Sequence, residues 1–144
     1  MRDKVLPDAS GKKDLVTAKG QAELMATEFK DWPGMGADLI PAIKNLHKSQ
    51  PEVMKAFREM GSVAHSGGAL DAKTKELIAV GISVAIRCDP CITYHVKAAY
   101  EHGATRAEIA ETMGMAVYMG AGPSAMYAAQ ALEAYDQYAE KAEG

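Results

Sequence analysis

Apolar positions first fall into a helical rhythm at Gln21, where Leu24, Met25 and Phe29 form one stripe that Trp32-Pro33-Gly34 is expected to break. A second stripe, Leu39, Ile40, Ile43 and Leu46, runs over about 36–47, and Pro41 within it predicts a kink or a late start. Ser49 and Glu52 stand at capping-box spacing around Pro51, predicting a helix from there to about Ala64 that ends toward Gly67-Gly68. Asp71 is placed to cap a helix over about 72–87. The first half of that helix is charged (Lys73, Lys75, Glu76) and the second apolar all round, as for a helix at the centre of a bundle. Val80, Ile82, Val84 and Ile86 also alternate as in a buried strand, but the length of the run and Ala79, Gly81 and Ala85 favour helix. Pro90 opens the next helix, which Gly103 stops after His102. Thr105 and Glu108 form a capping box for a helix to about Met119, with Ile109, Met113 and Val117 as its core stripe. Gly120-Ala121-Gly122-Pro123 then turns the chain into a last helix, about 124–138. The prediction is an all-α, single-domain bundle of six to seven helices over 19–144, behind a polar, mobile arm at 1–18.

Composition agrees with that class. Hydrophobic residues make up 48% of the 144 and charged ones 24%, which excludes a disordered chain, and a core low in aromatics (6%) with nine methionines favours helices over a β-sandwich. The net charge is −3 and the basic residues are scattered, so the electrostatic footprint of a nucleic-acid binder is missing. The longest apolar run, Leu77 to Ile86, is too short to cross a bilayer, and the N-terminus lacks the apolar core of a signal peptide. A cytoplasmic protein without a membrane partner is the expectation.

The two cysteines sharpen the picture. Cys88-Asp89-Pro90-Cys91 closes almost no loop, so the pair points to chemistry rather than to a structural staple. With Pro90 in the first turn, Cys88 falls at the N-cap and Cys91 one turn in, where unpaired N–H groups and the helix dipole favour a thiolate. His95, four residues after Cys91, shares its helix face and is placed to accept the thiol proton. Antiparallel packing of the preceding helix would bring Glu76 to the same place, as a second proton acceptor or as the group that orients His95. A zinc site built from Cys88, Cys91, His95 and Glu76 is the rival reading, although a structural site usually recruits ligands from a second loop. His102 ends its helix, where a capping role is expected, and His65 is a possible wall of the same cleft. Tyr94 and Tyr118 are candidates for the site's border or a subunit interface, Trp32 for a core edge or interface, and Met113, Met115, Met119 and Met126 for core.

Glu76, eleven residues, Cys88, two, Cys91, three, His95: this spacing resembles the signature of the alkyl hydroperoxidase D-like branch of the carboxymuconolactone decarboxylase family. The likeness covers about residues 50–135. It implies a thiol-dependent peroxidase that assembles as a homo-oligomer, a hexamer rather than a trimer. It also implies a small hydroperoxide as substrate and a dithiol reductant, such as lipoamide or a reducing partner protein, with no cofactor and no metal. Carried over residue by residue, it makes Cys91 the attacking thiolate, Cys88 the resolving thiol, and Glu76 and His95 the proton relay. Hydroperoxide-reducing members carry a further His immediately before the second Cys. Pro90 stands there in this chain. A thiol-disulfide carrier or sensor is the alternative. The decarboxylase branch proper works without the cysteine pair.

Overall fold

The computed structural model describes residues 29–143. Five α-helices follow one another, with no strand among the described residues: α1 Trp32–Ser49, α2 Pro51–His65, α3 Ala72–Ala85, α4 Asp89–Glu101 and α5 Arg106–Glu143. The count falls below six because the two helices expected around Gly120–Pro123 run into each other. The break between them survives as a kink at Ala121, whose φ of 50° and ψ of −141° lie outside the helical region. The arm at 1–18 and nearly all of the stripe at 21–29 lie outside the described residues.

Two helix ends depart from the sequence reading. Trp32-Pro33-Gly34 opens α1, ahead of the start expected near 36: the Asp31 carboxylate accepts the Gly34 N–H at 2.8 Å, and Pro33 occupies the first turn, where a missing donor costs nothing. Ser49 does not cap α2. It lies in the last turn of α1 with its hydroxyl on the Asn45 carbonyl, and the chain changes direction at Gln50, which Pro51 forces out of helical geometry (φ −138°, ψ 64°). The caps expected at Asp71 and at Thr105–Glu108 are present, with Asp71 accepting from the Thr74 N–H at 2.7 Å and Glu108 from the Thr105 N–H at 2.7 Å. The Lys73 ammonium donates to Glu108 at 2.6 Å and ties the start of α3 to the start of α5. That bond, with the Thr105 amide, holds the Glu108 carboxyl down at about 2.

The core gathers Val80 and Val84 of α3, Ile92, Val96 and Ala99 of α4, and Ile109, Met113, Ala131 and Ala134 of α5 around Trp32. Trp32 is fully buried rather than at an edge, with its indole N–H on Glu133 at 2.8 Å and its backbone N–H on Gln137 at 2.9 Å. Thr93 donates to the Trp32 carbonyl at 2.7 Å, and Gly36 lets α1 approach, since a Cβ there would stand 3.0 Å from the Tyr138 hydroxyl. α3 is buried on one face only. Ile78, Ile82 and Ile86 are exposed on its other side, contrary to a helix enclosed all round. Of the four methionines expected in the core, Met113 is buried while Met115, Met119 and Met126 face outward, beside an exposed Tyr118. α2 buries no residue in the single chain and presents Val53, Phe57, Met60 and Val63 along one open stripe.

Candidate functional site

The corner between α3 and α4 is closed by the backbone. Arg87 adopts a left-handed conformation (φ 58°), which turns its N–H onto the Val84 carbonyl at 3.2 Å and the Cys88 N–H onto the Ser83 carbonyl at 3.1 Å. These two bonds make a Schellman ending with Arg where Gly is usual. At the far end of α4 the same pair of bonds recurs with Gly103 (φ 80°) in that place, after His102 as C-cap. Cys88 therefore terminates α3 through its peptide and caps α4 through its sulfur, which accepts the Cys91 N–H at 3.3 Å. One turn on, Cys91 is bonded to it: Cys88 and Cys91 form a disulfide with their Cα atoms 5.2 Å apart, and both are partly buried. Asp89 begins α4 between them and takes the Lys30 ammonium on Oδ2 at 2.5 Å, while Lys30 also donates to Gln130 at 2.6 Å. The Oδ1 of Asp89 is buried and has no hydrogen-bond partner among the described residues.

From this corner α3 and α4 fold back on each other, and Glu76 meets His95. Glu76 is only 4% exposed, and its Oε2 lies 2.8 Å from His95 Nδ1. Its other oxygen is 2.9 Å from Nε2 of His65, which comes from the last turn of α2. The His65 Nδ1 in turn rests on the Gly61 carbonyl at 2.8 Å, and the Lys75 ammonium fastens this end of α2 by donating to the carbonyls of Ala64 at 2.9 Å and Ser66 at 2.5 Å. The carboxylate is thus bridged by two imidazoles. The sequence pattern places Glu76 and His95 on facing turns. It gives His65 only as a possible wall of the cleft, because nothing local marks a residue eleven positions upstream as a partner of Glu76. Tyr94 stands edge-on to His95 with ring centroids 5.0 Å apart and is exposed, as a border residue would be. A cleft of about 480 Å³ opens on its far side, lined by Ile40, Lys97, Tyr100 and Tyr138, and neither sulfur lines it.

His65, Glu76 and His95 offer three ligand atoms within 4.8 Å of one another, a composition a divalent ion accepts. Their arrangement fits shared protons better. Each ring nitrogen faces its own carboxylate oxygen at hydrogen-bond distance, and the second nitrogen of His65 is already on a carbonyl. The four-ligand zinc set has a different obstacle, since Cys88 and Cys91 are bonded to each other and present no thiolate in this state.

The model of the carboxymuconolactone decarboxylase family matches residues 51–134, which include Glu76, both cysteines, His65 and His95. The chain belongs to the carboxymuconolactone decarboxylase family. Among solved structures it is similar to the apo form of a carboxymuconolactone decarboxylase family protein from Legionella pneumophila, with 45% identity, a TM-score of 0.72, and 74% of this chain and 96% of that one covered. A Thermotoga maritima protein is similar at 27% identity and a TM-score of 0.65, with the same coverage. An uncharacterised protein of Cupriavidus necator shares 43% identity over 91 residues, 63% of this chain and 80% of its own length. The all-helical fold is that of the family, and no helix among the described residues is long and apolar enough to cross a membrane.

Proposed function

We propose that this member of the family is a thiol-dependent peroxidase that cycles Cys88 and Cys91 between dithiol and disulfide. The observation that carries the reading is a cysteine pair bonded across the first turn of α4, with His95 of the same helix bonded to the buried carboxylate of Glu76. In the reduced protein His95, its Nδ1 proton directed at Glu76, accepts the Cys91 thiol proton on Nε2. The thiolate attacks the terminal oxygen of a hydroperoxide. The O–O bond breaks, the sulfur is oxidised to a sulfenic acid, and the proton passes from His95 to the departing alkoxide as alcohol. The Cys88 thiol then attacks the sulfenic sulfur, releasing water and forming the disulfide. A donor dithiol of the lipoamide class, or a reducing partner protein, returns both sulfurs to thiols and is itself oxidised.

Stopped-flow mixing of the reduced protein with cumene hydroperoxide tests this. Thiol loss should be much faster than in Cys91→Ser, and equal rates would overturn the reading. One feature favours the alternative of a thiol-disulfide carrier: Pro90 gives the motif no proton-bearing side chain next to Cys91. Slow reaction with peroxide beside rapid exchange with lipoamide would select it. The exposed stripes on α2 and α3 and the outward methionines of α5 support assembly with copies of the same chain, a hexamer in this proposal, which light scattering on the purified protein decides.

A further inference from the structure

His65 has no part in the relay as described, yet it makes the second contact to the buried carboxylate. Its Nδ1 faces a carbonyl, which only accepts, and its Nε2 faces a carboxylate oxygen. A neutral imidazole carries one proton and cannot satisfy both. The proton between Nε2 and Glu76 Oε1 is therefore an extra one, held by the pair, on a ring in the last turn of α2, where the helix dipole favours a cation. We propose that His65 is a positioning residue of the thiol site, holding one proton against Glu76 so that Glu76 accepts from His95 Nδ1 and His95 Nε2 stays free for the thiol proton. The inference rests on the peroxidase reading only in taking Cys91 as the thiol served.

Two consequences of removing His65 act in the same direction. If the buried Glu76 then takes up a proton, it can donate to His95 Nδ1, and the remaining ring proton moves to Nε2, where it blocks transfer from sulfur. If Glu76 stays ionised, an anion that has lost its second partner remains bonded to His95, the proposed acceptor of the thiol proton, and disfavours a further negative charge on the sulfur. The charged groups that face His65 among the described residues are Glu76 on α3, His95 beyond it on α4, and Lys75, whose ammonium is turned onto the α2 carbonyls rather than onto the carboxylate. None of them replaces the lost proton at Glu76 Oε1.

The experiment measures alkylation of reduced Cys91 by iodoacetamide against pH in a Cys88→Ser background, for the parent, His65→Ala and His65→Gln, with melting temperature recorded for each. The midpoint should move upward in both variants, slowing alkylation at neutral pH by about threefold to tenfold, the span of half to one unit for a partly exposed partner. Gln keeps a donor for Glu76 but no titrating proton, so its midpoint should move even where its melting temperature does not. An unchanged midpoint with a lowered melting temperature would make His65 a latch between α2 and α3 and overturn the proposal. Should His65→Ala fail to fold, ¹⁵N spectra of the parent's imidazoles decide: both His65 nitrogens protonated, or one shared with Glu76, supports the inference, and a bare nitrogen ends it. None of these readouts uses peroxide, so a failure of the peroxidase reading shows separately, as absent reaction with cumene hydroperoxide in a protein whose thiol still responds to His65.

Discussion

Replacing Glu76 by Gln tests the centre of the site with little change of shape. The side chain is 4% exposed and touches two imidazole nitrogens, at 2.8 Å and 2.9 Å, each on its own oxygen. Gln fills the same volume, so no cavity forms, but only one of its two terminal atoms accepts. The other is an NH₂ that meets a ring N–H head on, and at least one of the two bonds is lost. A hydrogen bond to a charged group contributes about 1.5–3 kcal/mol, and the loss falls where the thiol proton must be accepted. Taking about 2 kcal/mol gives a reaction about 30-fold slower. The assay is single-turnover thiol loss of reduced Glu76→Gln with excess cumene hydroperoxide at neutral pH. The melting temperature serves as a control for folding. A rate within about threefold of the parent's, in a preparation where Cys91→Ser is inert, would refute the assignment of Glu76 to the relay, since the general-base step contributes about 10²–10⁴-fold where it operates.

Four further outcomes are expected. Cys88→Ser should consume one equivalent of peroxide and stop, leaving Cys91 as a sulfenic acid that dimedone labels; repeated turnover without Cys88 would remove its resolving role. Trp32→Ala should cost about 3–5 kcal/mol in denaturant unfolding, because a fully buried indole and its bond to Glu133 are lost together, and a change under about 1 kcal/mol would show that α1 is not anchored there. Glu108, lowered from 4.5 to about 2 by Lys73 and the Thr105 amide, adds stability that is complete above about pH 4.5 and disappears as pH falls toward 2. The gap in melting temperature between the parent and Glu108→Gln should therefore close over that window, and a gap that persists at pH 2 would contradict the pairing. Ala121→Gly should stabilise the protein by about 1 kcal/mol, because the kink holds a non-glycine residue at positive φ, and a loss of stability would mean that the strain is absent.

What the sequence made legible is local. Asp71, Thr105 with Glu108, Gly103 and the cap at Cys88 are each decided within a turn of chain, and each stands where the residue pattern puts it. The Ser49–Glu52 box failed although its spacing was right, because Pro51 constrains the residue before it and the break fell at Gln50. Trp32-Pro33 also serves as a helix start, a role decided by the Asp31 cap, which is a single side chain. The apolar pattern predicts burial for Ile78, Ile82, Met115 and Met119, which are exposed, since an apolar stripe says that a face seeks cover but not whether its own chain provides it. At the site, the spacing of Glu76 and His95 fits their contact, and that of Cys88 and Cys91 their bond. His65 and Lys30 reach it from other parts of the chain, and no periodicity connects them to it.

The turn at Arg87 and Cys88 has a consequence for how readily the sulfurs can change partners. The backbone hydrogen bonds that fix the corner, from the Arg87 N–H to the Val84 carbonyl and from the Cys88 N–H to the Ser83 carbonyl, involve no sulfur, so opening the disulfide should leave them in place. Oxidised and reduced forms are then expected to share one backbone, and the proposed redox step would ask for a rotation of two side chains rather than a refolded loop. Amide protons of Arg87 and Cys88 should exchange with solvent at the same rate in both forms. In the proposed cycle a corner built this way would work as a fixed jig: it would keep the sulfurs one helical turn apart from one oxidation to the next, and the energy of each oxidation would stay in the chemistry instead of being spent on motion of the chain.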